Sequence, residues 1–319
     1  MRNEVNLNSG RAGDGFEVDN SVGALKADLA FIGHVCRDEV RPFGGQSWVA
    51  PGSAVLCGAL AAARTGASVA VVTTMAARDE AILEPMRAGG IAVYVIPADV
   101  TTYMSVVHTS ANVDDRKMRQ IENAGRFAVA SIPDLAVQQV HLAGITDQEF
   151  DLGFVRGMKA RGGRLSADMQ SFVRQVDPGS GLIAFKDVPQ KAEIASLLDM
   201  VKLDVVEAAV LTGTDDLERA AMMFEEWGCP EIVITRSDGV VARVDGETYW
   251  ASFSNRSVVG RTGRGDTIFA AYVARRLDHD VDESLRFAAA LVSIKMEKPG
   301  PFDGTLADVL ERMNATAVH

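Results

Sequence analysis

Short runs of β-branched and other apolar residues alternate with longer amphipathic stretches along most of the chain. The strand-like runs are Leu29–Ile32, Val69–Thr73, Ala92–Ile96, Gln139–Leu142, Arg164–Ala167, Met200–Leu203, Ile232–Thr235 and Val240–Val244. Helical periodicity fills most of the intervals, at Ser53–Arg64, Asp79–Ala88, Asp147–Ala160, Lys186–Leu198 and Asp215–Trp227. Strands that alternate with helices predict parallel crossovers and a sheet covered on both faces. Phe287–Val292 is apolar around a whole turn, so the helix expected near 281–297 is buried. The fold class that follows is α/β, with a mostly parallel central sheet between helical layers.

Two stretches break this rhythm. Residues 37–50 predict a hairpin turning at Gly44-Gly45, and residues 101–121 predict two extended pieces joined at a polar turn around Asn112–Asp115. Residues 1–27 are rich in Gly, Asn and Asp with little periodicity, and are expected to form a flexible tail ahead of one domain at 28–319.

Composition narrows the function. The net charge of −11 leaves no basic stripe for nucleic acid, and it would repel a polyphosphate at long range unless local cations offset it. Cys36, Cys57 and Cys229 are far apart with no CxxC spacing, which indicates neither a disulfide framework nor a zinc site. With no signal-like N-terminus and no apolar run of about 18 residues, the expectation is a cytoplasmic protein without a membrane partner.

The densest chemistry lies in GRTGRGDT, residues 260–267. Ile268, Phe269, Tyr272, Val273 and Leu277 follow at helical spacing, which predicts a helix starting at Asp266. Gly263 and Gly265 let the backbone aim N–H groups at an anion, with the positive end of the helix dipole behind them. An acid beside an anion hole suits phosphoryl transfer; a plain glycine turn with Asp266 as N-cap is the competing reading. A P-loop would need Gly-Lys-Ser/Thr, and here Gly265 precedes Asp266 and Thr267.

The segment resembles the second signature of the ribokinase (PfkB) family of carbohydrate kinases, roughly D-T-x-G-A-G-D, whose last four positions fall on Gly263, Arg264, Gly265 and Asp266. VVGRTGRGDTIFAAYVARRL with SLRFAAALVSIKMEKPGP is similar to a bacterial and archaeal subgroup linked in part to sugar or inositol metabolism, and FIGHVCRDEV, SADMQSFVR and KLDVVEAAVLTGTDDL extend the likeness. The resemblance implies a ribokinase-like three-layer α/β/α sandwich with a small β lid from about 37–50 and 98–122. It also implies ATP and Mg²⁺ as cofactors, and direct in-line transfer to a small polyol or sugar with Asp266 as base. A homodimer is compatible with it.

By the same resemblance, Gly263, Arg264 and Gly265 join Asp266 in catalysis. Asp204 and Glu207 stand at the family's N-x-x-E and organise Mg²⁺, although capping alone also explains such a pair. Thr235, Ser237 and Gly239 resemble a phosphate- and ribose-binding segment, one residue shorter. Ala290 and Ser293 border the adenine pocket or pack in the core. Asp38, Gly52, Ser53, Asp168 and Gln170 fall at acceptor-binding positions, with Arg174 completing D-x-N-x-R; His34 and Arg119 reach the acceptor pocket or serve packing and surface. The chain departs from the pattern at Cys57, where the family has a sugar-contacting asparagine. It departs again at Gly260 and Arg261, which stand where Asp and Thr occur in members activated by monovalent cations. The alternatives are a nucleoside kinase of the same family and a non-catalytic sugar- or nucleotide-binding regulator.

Overall fold

The structure is a computed structural model describing residues 24–110 and 115–316. Its centre is a nine-stranded sheet in the spatial order Glu247–Ser252, Gly239–Val244, Glu231–Thr235, Met200–Asp204, Arg164–Asp168, Gln139–Leu142, Leu29–Ile32, Val69–Met75, Ala92–Pro97. From Glu231–Thr235 to Ala92–Pro97 every pairing is parallel; the two strands at the other edge are antiparallel. Successive side chains alternate between faces. Leu29, Phe31, Val69 and Val71 thus enter one core with the helices Ala54–Arg64, Arg264–Arg275 and Val281–Met296. Ala30, Ile32, Ala70 and Val72 enter the other, against Leu152–Ala160, Lys191–Leu197 and Leu217–Glu226. This is the expected three-layer α/β/α sandwich.

Several helices begin later than periodicity suggests, because caps set their starts. Asp151 accepts the N–H of Phe154, so that helix starts at Leu152 rather than near Asp147. The segment from Asp79 to Ala88 splits into a 3₁₀ stretch, Ala77–Leu83, and the short helix Glu84–Ala88 with Pro85 in its first turn. The strand Glu247–Ser252, the hairpin of Arg174–Val176 with Ile183–Phe185, and the helix Leu306–Thr316 are additional elements.

A separate four-stranded sheet has the order Trp48–Gly52, Cys36–Arg41, Tyr103–His108, Arg116–Glu122. The expected hairpin turns where Gly45 N–H bonds Pro42 O at 3.2 Å, with Gly44 at φ 69°. The polar turn expected around Asn112–Asp115 falls mostly outside the described residues. So does the expected tail, except for its last few residues: Leu25–Lys26 pair in parallel with Leu135–Ala136. No helix among the described residues is long and apolar enough to cross a membrane.

Chain order places the site. From Leu29–Ile32 the sheet grows outward through Val69–Met75 and Ala92–Pro97; from Gln139–Leu142 it grows the other way. Between those two inner strands the winding reverses, and the crevice at their carboxyl ends is where an open α/β sheet binds ligands. Asp168, Asp204 and Thr235 are each the last residue of a strand facing that side.

Candidate active site

Gly263, at φ 76°, is the N-cap of the helix Arg264–Arg275, so the helix starts two residues before Asp266 and makes it the third helical residue. Two constraints require glycine at 263: the left-handed backbone, and a Cβ that would stand 2.6 Å from Cys57 Sγ. The amide of Arg264 closes a turn on Arg261 O at 3.1 Å and leaves the expected anion hole. Among the described residues no acceptor meets the amides of Gly263, Gly265 or Asp266, which are the orphan donors of a helix start. The hole is three amides wide.

The Asp266 carboxylate receives Gln170 Nε2 at 3.5 Å, and the same Gln170 amide donates to Gly144 O at 2.8 Å. Across the cleft lies Asp38, on the lid strand Cys36–Arg41. Burial raises the Asp38 carboxyl above its ordinary range, the Cys36 thiol opposes that rise, and the charge of Asp266 adds to it. The two carboxylates thus sense each other. Gly52 leaves room for this arrangement, since its Cβ would lie 1.9 Å from Asp38 Oδ2. Ser53 follows at φ 133°, a strained backbone for a side chain, and caps the next helix by accepting Leu56 N–H at 3.1 Å.

Asp168, expected at an acceptor-binding position, is held by protein partners on both oxygens. It is 1 % exposed; Oδ1 takes the Gln170 N–H at 3.1 Å and Oδ2 pairs with Lys202 at 2.9 Å. Parallel register aligns Asp168 with Lys202 on neighbouring strands. Lys202 is the residue that motif reading missed. A Cβ on Gly265 would come within 3.0 Å of its ammonium, so a buried cation stands directly under the anion loop. Burial pulls the ammonium pKa down, but Asp168, Glu207, Asp266 and Asp204 together outweigh it and the net shift is upward. A lysine inside the apolar run Met200–Leu203 is unusual, but its neighbours in the chain give no sign of what it pairs with.

Asp204 and Glu207 form a capping box: Asp204 Oδ1 accepts the N–H of Val206 and of Glu207, and Glu207 Oε2 accepts the Asp204 N–H at 2.8 Å. Asp204 is therefore the N-cap of the helix Val205–Thr212. The other oxygen of Glu207 meets Arg174 Nη2 at 3.2 Å and its side chain is fully buried, so both of its oxygens are engaged by protein. That leaves Asp204 Oδ2 for a cation. Among the described residues no three His, Cys, Asp or Glu side chains converge as a metal nest. A Mg²⁺ that keeps its waters and phosphate ligands needs only one such carboxylate, so the residues fit.

Thr235 borders the same loop, 3.9 Å from the place of a Gly265 Cβ. Ser237 is exposed in the turn from Arg236 to Gly239. Gly239 serves strand pairing, because a Cβ there would lie 2.7 Å from Ala251 O. Ala290 and Ser293 are buried in the helical layer; Ser293 Oγ accepts Ser254 N–H at 2.8 Å and donates to Ala289 O at 2.6 Å. Cys57 packs on Gly263, and burial pushes its thiol up to about 12. His34 is a core residue bonded to Thr102 and packed on Phe127, whereas Arg119 is exposed on the lid strand Arg116–Glu122. All three cysteines are free and buried.

Unbonded amides at a helix start beside Asp266 and Lys202, at the switch point of a parallel sheet and facing a small β-sheet, are an arrangement suited to phosphoryl transfer. The pfkB family carbohydrate kinase model matches residues 21–306, and the chain belongs to that family. It is 26% identical over 257 residues to a cytidine kinase of Thermococcus kodakarensis, covering 77% of this chain and 87% of that protein. Two solved structures of pyrophosphate-dependent kinases in the ribokinase family are close in fold. One, a sulfate complex, is 31% identical with a TM-score of 0.82, and covers 89% of this chain and 99% of its own. The other, complexed with a pyrophosphate analog and myo-inositol, is 29% identical with a TM-score of 0.81 over the same shares.

Proposed function

We propose that the protein transfers a phosphoryl group from a polyphosphate donor directly to a hydroxyl of a small polyol or sugar. The observation that carries this reading is the pairing of three free amides at Gly263, Gly265 and Asp266 with the Asp266 carboxylate and the buried Lys202 ammonium. Asp38 and Asp266 bracket the acceptor: Asp38 accepts hydrogen bonds from adjacent hydroxyls, and Asp266 takes the proton of the attacking one. The amides hold the migrating phosphoryl group as its charge spreads, with Lys202 beneath them. Asp204 Oδ2 would hold a Mg²⁺ arriving with the donor, which would supply neutralising charge. The Cys36–Arg41 and Trp48–Gly52 strands act as a lid that excludes water from the reacting atoms.

ATP is the donor that the family resemblance implies. Pyrophosphate is a second reading, favoured by a specific observation: Ala290 and Ser293, the residues expected to border adenine, are sealed in the core with the Ser293 hydroxyl fully engaged. The likeness to pyrophosphate-dependent kinases supports it too. For the acceptor, myo-inositol-like cyclitols lead, followed by ketoses and sugar acids, with nucleosides such as cytidine behind. We further propose a homodimer formed through the lid, whose edge strand Trp48–Gly52 exposes Trp48 and Val49.

The test is a matrix of donors against acceptors with Mg²⁺ present, following phosphorylated product by mass. ATP and pyrophosphate are each offered with cyclitols, ketoses, sugar acids and nucleosides. A polyol or sugar turned over with either donor supports the reading. Turnover of nucleosides alone would move the acceptor class, and no product in any well would favour a binding protein.

A further inference from the structure

The chain leading into the anion loop is stapled to the end of the late helix Val281–Met296. The N–H groups of Val259 and Gly260 both donate to Met296 O at 2.9 Å, and Gly260 passes so near that a Cβ would stand 1.6 Å from Lys298 O. In this crossing the carbonyls of Gly260 and Thr262 turn toward one point. Lys295 occupies it, 2 % exposed, with its ammonium donating to both oxygens. Gly263 follows at once, and the next amides form the anion hole. Two convergent carbonyls beside a helix C-terminus make a cation site. A lysine fills it from within.

We infer that Lys295 is a built-in monovalent cation that fixes the anion loop in its working shape, so that the enzyme needs no potassium or ammonium ion. Lys295 is a positioning residue: it touches main-chain oxygens rather than the reacting atoms, and it acts through the amides of Gly263, Gly265 and Asp266. Three donors on an ammonium match the task, two of them spent on Gly260 O and Thr262 O. Burial draws the Lys295 pKa down on balance, with Cys57 and Asp266 opposing that fall and Arg264 adding to it, while the two carbonyl acceptors favour the ammonium form. The inference also accounts for Gly260 and Arg261 standing where cation-activated relatives carry Asp and Thr. With the cation supplied by a side chain, an additional carboxylate there has no ion to bind.

This inference rests on the kinase reading only for its catalytic consequence, so the experiment has two readouts. Thermal unfolding and turnover are measured for the wild type and for Lys295→Ala and Lys295→Met, in choline, sodium, potassium and ammonium chloride at equal ionic strength. Wild-type Tm and kcat are expected not to respond to the exchange of cations. Lys295→Ala is expected to unfold several degrees lower in choline and to recover specifically in potassium or ammonium. Its kcat is expected to fall on the order of 10²-fold in choline, as for loss of one oxyanion contact, with acceptor KM little changed and with partial rescue by the same ions. Lys295→Met, which fills the site with an apolar chain, is expected to lose turnover without rescue. A wild type stimulated by potassium overturns the inference, and that measurement stands even if neither variant folds. A Lys295→Ala protein with no cation-specific gain in Tm overturns it as well, whatever the turnover. Cation-specific stability in a chain that turns over no donor–acceptor pair would defeat the kinase reading and leave the cation assignment in place.

Discussion

Asp266 is the third residue of its helix, and among the described residues its carboxylate meets the long contact from Gln170 Nε2 at 3.5 Å. The group thus stays available to an incoming hydroxyl. Phosphoryl transfer asks little proton abstraction of its base and much charge stabilisation of its surroundings. Asp266→Asn should lower kcat on the order of 10³-fold while donor binding, followed by calorimetry, persists. Near-normal turnover in that variant would remove Asp266 as the base. At this scale the sequence was most informative where backbone geometry demands a residue type. Gly263 has both a left-handed φ and Cys57 against it, and Gly52 makes way for Asp38. Lys202 and Lys295 were illegible as site residues, because each lies in an apolar run and their partners are far away in the chain.

At the scale of elements, the carboxyl ends of neighbouring strands gather Asp168, Lys202 and Asp204, and the helix after Asp204 adds Glu207, which Arg174 meets from the short strand Arg174–Val176. Burial raises the Asp168 carboxyl to about 7 against the pull of Lys202, and it raises Glu207 in the same direction. A carboxyl whose folded-state pKa lies above its unfolded value near 4 is harder to ionise in the folded protein. Asp168 therefore contributes a loss of stability that grows from about pH 4 to about pH 7. Carboxylates held low, such as Asp28 and Glu297, work in the opposite sense, so the effect is isolated by difference. The Tm of the wild type minus that of Asp168→Asn should fall across that interval, as measured by scanning calorimetry; a difference rising with pH would contradict the assignment. The strands themselves were legible from continuous apolar runs. Helix starts were less so, since a side-chain cap such as Asp151 overrides periodicity.

At the scale of the molecule, the lid and the sheet crevice meet across Asp38 and Asp266, and the uncovered edge of the lid faces outward with Trp48 and Val49. If a second copy covers that edge, sedimentation velocity at micromolar concentration should show a dimer, and Trp48→Glu should convert it to a monomer with an unchanged circular dichroism spectrum. A monomeric wild type would refute the dimer. The sequence by itself determined the alternation of strands and helices, the buried late helix, and the glycine loop with its acid, because local periodicity and φ preferences are written in neighbouring residues. Only the tertiary structure decided that Asp168 belongs to Lys202, that Ser293 is sealed in the core, and that Lys295 grips the loop that precedes Gly263. Those facts depend on strand register and helix packing, which bring together groups 34 and 33 residues apart in the chain, Asp168 with Lys202 and Lys295 with Thr262, at distances no local pattern encodes.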